Sequence, residues 1–240
     1  MPDKVSPKEF IQLLSELQHH GEAQRQTVEG IGLDPPLAIL RRWQAERLAR
    51  TYADLLADDQ YRSACLFFLS DIYSPRDFSQ RDHDAEQLYR ILSRFVPEAM
   101  LALLADTIRI NQLTNRLDRD LVRALVDNLG MTDRITPQLY AQAFRLCDNF
   151  TDRQEQIRLI VKILREAARG ARSPIFGVSL HLVRGPVQRA GWLEVYDFLE
   201  RGAIACKPMR NVEHFVKTIH QRETALLERI FGGEENPWDE

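Results

Sequence analysis

The chain has 240 residues, of which 44% are apolar, and its formal net charge is −3. This apolar fraction is enough for a sizeable core and argues against a disordered protein. A net charge near zero gives no overall electrostatic reason to bind nucleic acid or a membrane surface.

Helices are the predicted structure along the whole chain. Glycine and proline number only 11 each, which leaves little turn chemistry for a many-stranded sandwich or barrel. Several prolines directly follow a Ser, Thr, Asp or Asn, an arrangement that starts helices. These are Pro7, Pro35, Pro75, Pro137, Pro174 and Pro237.

Apolar residues recur at helical spacing between these start signals and the stop signals that follow them. The predicted helices cover residues 7–28, 35–58, 60–73, 79–95, 97–129, 137–148, 151–169, 174–184, a segment around 192–199, and 211–231. The helix over 60–73 is so apolar that we expect it at the centre of the bundle.

Four of these helices carry further boundary signals. Gly130 is expected to end the long fifth helix, and Gly185-Pro186 to break or kink the eighth. Asn211 is expected to cap the last helix. The seventh is predicted to begin with a capping box, formed by Thr151 and Gln154.

The predicted fold is a single all-α domain over residues 1–240, a compact bundle of about nine or ten helices. A division into two domains near residues 130–136 is the alternative. The longest apolar run, residues 99–105, is too short to span a membrane, and no signal-peptide core follows the polar N-terminus. We therefore expect a soluble cytoplasmic protein.

The common signatures of nucleotide binding and hydrolysis are absent from the sequence. Cys65, Cys147 and Cys206 are too far apart for CxxC pairs and are expected to be buried free thiols. Only one ExxH spacing occurs, whereas helical di-iron bundles need two. The possible metal-binding groups are Glu16/His19/His20, Asp82/His83/Asp84/Glu86 and Glu213/His214/His220/Glu223. We predict no metal and no cofactor.

One segment of the chain resembles a known family. Residues 61–78 read YRSACLFFLSDIYSPRDF, and FFLSDIY is similar to the signature of the bacterial FFLEELY-motif proteins. Ser70 and Asp71 stand where that signature has two glutamates. Further similarity lies at residues 184–191, 198–202 and 219–223. The resemblance covers about residues 40–232 and implies an uncharacterised, helical, cytoplasmic bacterial protein; it implies no reaction.

Several charged residues fall on the apolar faces of predicted helices, where a charge needs a partner. Glu223, for example, lies between Ile219 and Leu226 on the stripe of the last helix. We predict a polar cluster inside the bundle, which is either a network that fixes helix register or the polar end of a ligand pocket. Its predicted members are Tyr73, Asp77, Arg81, Asp82, Arg184 and Glu223. In the alternative, Asp77 or Asp82 caps the fourth helix and the arginines form ordinary surface pairs.

Basic residues line one face of the seventh predicted helix. Arg158, Lys162, Arg165 and Arg169 follow the helical spacing i, i+4, i+7 and i+11. This basic stripe is interpreted as a solvated face or as a surface for a protein partner. Nucleic acid is the least expected contact because the chain as a whole is acidic.

The leading functional prediction is a non-enzymatic helical adaptor or regulatory protein that acts through protein–protein contacts, homodimerisation included. It rests mainly on the missing enzyme signatures. Two alternatives stay open: a helical-bundle enzyme with a di-metal or haem-oxygenase-like cofactor site, and a sensor of a small anionic ligand. The chain has 27 Arg and only 5 Lys. This preference for arginine is compatible with salt-bridged helix packing, because the planar guanidinium suits carboxylate pairs.

Overall fold

The computed structural model describes residues 6–13, 34–69, 85–234 and 236–238, without the side chains of 85–88, 194 and 195. Within these residues the regular elements are all helical, which confirms the predicted all-α bundle, and none of the helices is long and apolar enough to cross a membrane. The elements are α1 (residues 7–13), α2 (Pro35–Thr51), α3 (Ala53–Ala57), α4 (Asp59–Phe67), α5 (Ala85–Phe95), α6 (Glu98–Arg123), a π-helical turn (Ala124–Asn128), α7 (Pro137–Leu146), α8 (Phe150–Ala171), α9 (Pro174–Arg189), α10 (Leu193–Cys206) and α11 (Val212–Phe231).

Side chains at predicted positions cap several helices, α7 and α11 among them. The Leu139 amide donates a 3.2 Å hydrogen bond to Thr136 Oγ1 at the start of α7. At the start of α11, the His214 amide donates to Asn211 Oδ1 over 3.0 Å. Because the first amides of a helix have no acceptor within it, each cap satisfies a donor that would otherwise be lost.

The long α6 ends as predicted at Gly130, but through a π-helical turn. Gly130 has a φ of 66°, the left-handed conformation that glycine adopts without steric cost. The Met131 amide then donates to the Leu125 carbonyl over 2.8 Å and closes the helix end.

The predicted helix over 35–58 is interrupted at Tyr52, which separates α2 from α3. Tyr52 is buried, and its hydroxyl donates to Glu223 on α11. Contacts between Tyr52 and the rest of the bundle therefore stabilise this interruption. The apolar spacing along α2 and α3 gives no indication of it.

α9 passes through Gly185-Pro186, so the predicted end at residue 184 is wrong. A proline inside a helix removes one hydrogen bond and crowds the carbonyl four residues earlier. Val183 and Val187 are buried in the core on either side of this proline. Burial of these two valines stabilises the helix enough for it to continue through Pro186 to Arg189.

α8 begins at Phe150, with Asn149 at the N-cap position, instead of at the predicted Thr151/Gln154 capping box. The preceding Asp148 has a φ of 45° and turns the chain between α7 and α8. The start of α8 is therefore set by the tight turn that joins the two helices, and not by a local side-chain cap.

α6 and α8 lie at the centre of the bundle. Residues 100–106 of α6 are buried on all sides, and α8 packs against α6, α10 and α11. The central position expected for the helix over 60–73 is wrong for its described part, because Leu66 of α4 is 53% exposed. The candidate site is formed by polar and charged side chains on and around these two central helices.

Candidate functional site

A cavity of about 130 Å³ lies where α2, α6, α7, α8 and α11 meet. Most of its described lining residues are apolar. More than half of these apolar residues belong to α8 and α11. The polar lining residues are Gln44, Arg47, Tyr52, Thr114, Asp118, Tyr140, Arg153, Gln156 and Glu223. We call this space the central cavity.

One buried carboxylate at the central cavity belongs to Asp118 of α6, which is 1% exposed. Arg41 of α2 approaches it with Nε at 3.4 Å from Oδ2 and also donates to Asn115 Oδ1 over 2.7 Å. Gln44, one turn along α2, donates to Asp118 Oδ1 over 3.3 Å. Asp118 therefore has a cationic partner and a neutral one, both from α2.

The second carboxylate belongs to Glu223 of α11. Arg47 Nη1 lies 2.6 Å from Glu223 Oε1, and the Tyr52 hydroxyl donates to the same oxygen over 2.7 Å. The Glu223 side chain is 18% exposed. Its predicted position on the apolar stripe of the last helix thus comes with two partners, Arg47 on α2 and Tyr52 at the interruption between α2 and α3.

Arg153, in the first turn of α8, also lines the cavity, as Arg47 does, and is only 5% exposed. Its Nη1 donates to Gln156 Oε1 over 3.0 Å, and its Nη2 to the Leu117 carbonyl over 3.4 Å. The guanidinium also lies over the Phe144 ring, 4.4 Å from its centroid. In the described part of the chain, no carboxylate lies within ion-pairing distance of it.

The surroundings of Arg153 do not supply the missing negative charge. Gln156 is held in place by donating to Thr114 Oγ1 over 2.9 Å, so its amide oxygen faces the arginine. The first turn of a helix carries partial positive charge, which adds to that of the guanidinium. Arg153 Nε is buried without a hydrogen-bond partner, and so is Gln44 Oε1.

Tyr140 of α7 is a potential donor beside this arginine. Burial raises the pKa of its phenol, while the charges of Arg153 and Arg47 act to lower it. The phenol is therefore protonated at neutral pH, and its hydroxyl can donate to a negatively charged group.

A second cavity of about 100 Å³ adjoins the first. The two linings share Phe68, Thr114 and Ile160, so these side chains stand between the cavities. We call the second space the apolar cavity. Its other described lining residues are Phe67, Leu103, Leu104, Thr107, Ile108, Ile110, Asn111, Asn115, Ile163, Ala167, Phe176, Phe198, Leu199, Gly202, Ala203 and Cys206.

Each cavity contains one thiol in its wall. Burial raises the pKa of Cys65, at the central cavity, and that of Cys206, at the apolar cavity, to about 11 in each case. Both are buried free cysteines, as predicted, while Cys147 is free but only partly buried. Because the thiolate is the reactive form, the Cys65 and Cys206 thiols are poor nucleophiles at neutral pH.

Two members of the predicted polar cluster, Arg184 and Glu223, lie within the described residues, and they have different partners. Arg184 is exposed, with its guanidinium 5.8 Å from the Tyr196 ring, whereas Glu223 bonds to Arg47 and Tyr52. The other predicted members lie outside the described residues: Tyr73, Asp77, Arg81 and Asp82.

Each residue of the predicted basic stripe faces a carboxylate of the same chain. Arg158 pairs with Glu155 and Arg169 with Glu166, both within α8. Lys162 reaches Asp106 on α6 over 2.9 Å. Arg165 forms two hydrogen bonds with Glu213 on α11, of 2.8 and 2.9 Å. Lys162 and Arg165 thus join α8 to α6 and α11, while the other two residues of the stripe pair within α8.

The possible metal-binding groups fare differently. Glu16/His19/His20 and Asp82/His83/Asp84 lie outside the described residues, as does the side chain of Glu86. In the third group, Glu213 and Glu223 are engaged by different arginines. Among the residues that the structure describes, no three His, Cys, Asp or Glu are arranged to hold a metal ion.

Sequence reasoning did not single out Arg153 or Asp118, although a usable signal was present. Arg153 precedes Ile157 by four residues and Ile160 by seven, so it lies on the apolar stripe of α8. Asp118 precedes the buried Leu121 of α6 by three residues, so the two share a helix face. A search for every charge on an apolar helix face, which identified Glu223, would have found both.

Comparison with known proteins gives a family and no activity. A family model described as a domain of unknown function, DUF8198, matches residues 23–237. No curated protein and no solved structure matches the chain. The match includes all the residues that surround the two cavities.

Proposed function

We propose that this chain, which belongs to the DUF8198 family of domains of unknown function, is a non-enzymatic regulatory protein that binds a small anion in its central cavity. The observation that carries the proposal is Arg153, a buried guanidinium in a cavity wall without a carboxylate partner among the described residues. The bound anion neutralises this charge.

The balance of charge around the central cavity supports this function. Arg41 pairs with Asp118 and Arg47 with Glu223, which leaves Arg153 without a compensating carboxylate among the residues that the structure describes. Burying such a charge is costly unless it is paired. The contact with the Phe144 ring offsets only part of that cost, since cation–π contacts contribute up to about 2 kcal/mol.

Thermal unfolding in low-salt buffer, with acetate added in increasing amounts, tests the proposal. A ligand that binds only the folded protein raises its Tm as the concentration increases. We expect this rise in the wild type and its loss in Arg153→Met. Arg158→Met is the matched control, because Arg158 is an exposed cation of the same helix. An equal rise in all three proteins would contradict the proposal.

A second candidate function, the adaptor, is favoured by an apolar stripe on the outer face of α9. Ile175, Val178 and Leu182 are 66, 60 and 54% exposed and follow helical spacing. Neighbouring positions such as Phe176 and Leu180 are buried in the core. An exposed apolar stripe opposite a buried face is typical of a protein–protein contact.

The adaptor function predicts a partner protein or a second copy of this chain on α9. Light scattering measures self-association, and affinity capture from the native organism measures partner binding. We expect Val178→Asp to abolish the association. Gln188→Asp, at an exposed polar position of the same helix, serves as the control and should leave it intact. Association that survives Val178→Asp would count against this surface.

We further propose that the chain shares its ancestry with the bacterial FFLEELY-motif proteins and works in the cytoplasm. The segment FFLSDIY supports the first statement. The free state of Cys65, Cys147 and Cys206 supports the second, because thiols persist in reducing compartments. Fractionation of the native cells tests the location directly.

A further inference from the structure

We infer that the ligand is an amphiphilic monocarboxylate, with its carboxylate at Arg153 in the central cavity and its hydrocarbon chain in the apolar cavity. This inference rests on the proposed function and names the ligand class. It is carried by three observations: the Arg153 charge, which has no carboxylate partner in the described part of the chain, the apolar character of the second cavity, and the shared wall between the two.

The head of the ligand is set by the polar groups of the central cavity. Arg153 Nε is a buried donor without a partner, and the protonated Tyr140 hydroxyl is a second donor nearby. One uncompensated cation suits one negative charge. A dianion such as a phosphate monoester would bring a second charge into an apolar surrounding, which is costly without a further partner.

The tail of the ligand is set by the apolar cavity, whose polar residues are already satisfied. The Thr107 hydroxyl donates to the Leu103 carbonyl over 2.8 Å. Asn115 donates to Asn111 over 3.0 Å and accepts from Arg41. The remaining wall consists of aliphatic and aromatic side chains. Such a wall favours methylene groups and offers nothing to a polar substituent.

The two cavities are neighbours, and the proposed ligand extends from one into the other where their walls are shared. Phe68, Thr114 and Ile160 belong to both linings, and Thr114 also holds Gln156 beside Arg153. A carboxylate bound at Arg153 therefore has its hydrocarbon chain starting at the wall of the apolar cavity.

Volume limits the length of that chain. The cavities measure about 130 and 100 Å³. An engineered cavity of about 150 Å³ holds one benzene, so each of these spaces has room for roughly six heavy atoms at most. Together they hold at most roughly twelve heavy atoms, two of which are the carboxylate oxygens, so they suit a carboxylic acid of roughly six to ten carbons.

Isothermal titration calorimetry with a homologous series of probes tests the inference. The series comprises acetate, butyrate, hexanoate, octanoate and decanoate, with 1-decanol as the uncharged probe. Burial of each methylene is worth about 0.8 kcal/mol, so we expect the affinity to rise about fourfold per added methylene. We expect the rise to stop once the chain fills the apolar cavity.

Variants separate the head from the tail. Arg153→Met should weaken decanoate at least tenfold and leave 1-decanol unchanged, because only the anion uses the guanidinium. Ala203→Leu, which fills the apolar cavity from α10, should weaken decanoate and leave butyrate unchanged. Ala167→Leu fills it from α8 and replaces Ala203→Leu if that protein does not fold.

The possible failures differ in what they refute. Binding that needs Arg153 but has the same affinity from acetate to decanoate would overturn this inference and leave the proposed function standing. Decanoate and 1-decanol binding equally well, both unaffected by Arg153→Met, would refute the anion site and with it both proposals. The absence of binding by any probe would also refute both.

Discussion

The two sides of α8 treat positive charge in opposite ways. On one side, the four residues of the basic stripe each face a carboxylate, at distances from 2.6 to 2.9 Å. On its inner side, Arg153 lies at a cavity with only neutral partners in the described chain. The basic stripe, which is conspicuous in the sequence, is thus neutralised by carboxylates of the same chain. Arg153, which is not conspicuous in the sequence, is the arginine that remains to bind a ligand.

Substitutions around the two sides of α8 test this contrast. They compare the loss of unfolding free energy when a buried ion pair is broken, which is expected to be large, with the small loss expected for a surface pair.

The largest effect is expected for Asp118→Ala. It removes the carboxylate that Arg41 and Gln44 share, and it leaves a second uncompensated guanidinium beside the central cavity. Breaking a buried pair in this way costs about 3–5 kcal/mol of unfolding free energy. Urea unfolding measures the loss. Asp120→Ala, two residues further along α6 at an exposed pair with Arg123, is the control and should change stability by less than about 1 kcal/mol.

A smaller loss is expected for Glu223→Gln. The change keeps the size of the side chain but removes the charge that Arg47 Nη1 approaches at 2.6 Å. Hydrogen bonds to charged groups contribute about 1.5–3 kcal/mol, and the same urea experiment should show a loss of this order. Glu213→Gln alters an exposed arginine pair on the same helix and should cost much less. Equal losses for the two variants would remove the distinction between buried and surface pairs.

Arg153→Met is expected to act in the other direction when no ligand is present. It replaces an uncompensated buried cation with an apolar side chain of similar length, a change that is often neutral or stabilising. We expect unfolding free energy to stay equal or to rise by about 1 kcal/mol. A loss of 3 kcal/mol or more would show that Arg153 is an essential part of the packing, contrary to the proposed ligand site.

The smallest effect is expected for Arg158→Met in the basic stripe. The hydrogen bonds from Arg158 lower the pKa of Glu155, so this pair contributes stability at neutral pH and loses it as the pH falls through the pKa of the folded state. The wild type and the variant should therefore differ by at most about 0.5 kcal/mol at pH 7, and the difference should shrink as the pH falls below the ordinary titration range of a glutamate. Unfolding curves measured between pH 3 and 7 check this. A difference that grows on acidification would contradict the sign.

Local signals predicted much of the fold, because capping and apolar spacing act within a few residues. Thr136 and Asn211 cap their helices as predicted, and Gly130 ends its helix. The interruption at Tyr52 and the passage of α9 through Pro186 were missed, because contacts with distant helices stabilise both.

The candidate site was less predictable for a physical reason. Glu223 was identified from its place on an apolar stripe, but its partners Arg47 and Tyr52 lie more than 170 residues away in sequence. Nothing in the local pattern of α2 indicates which carboxylate it will meet. The uncompensated state of Arg153 depends on the arrangement of several helices and is not visible in any single one.

The placement of the two thiols gives each cavity its own reporter. Cys65 lies in the wall of the central cavity and Cys206 in that of the apolar cavity. A thiol reagent can modify either one only through transient opening of the bundle, since both are buried. The ratio of the two labelling rates would therefore report which compartment a bound molecule occupies, without any engineered probe.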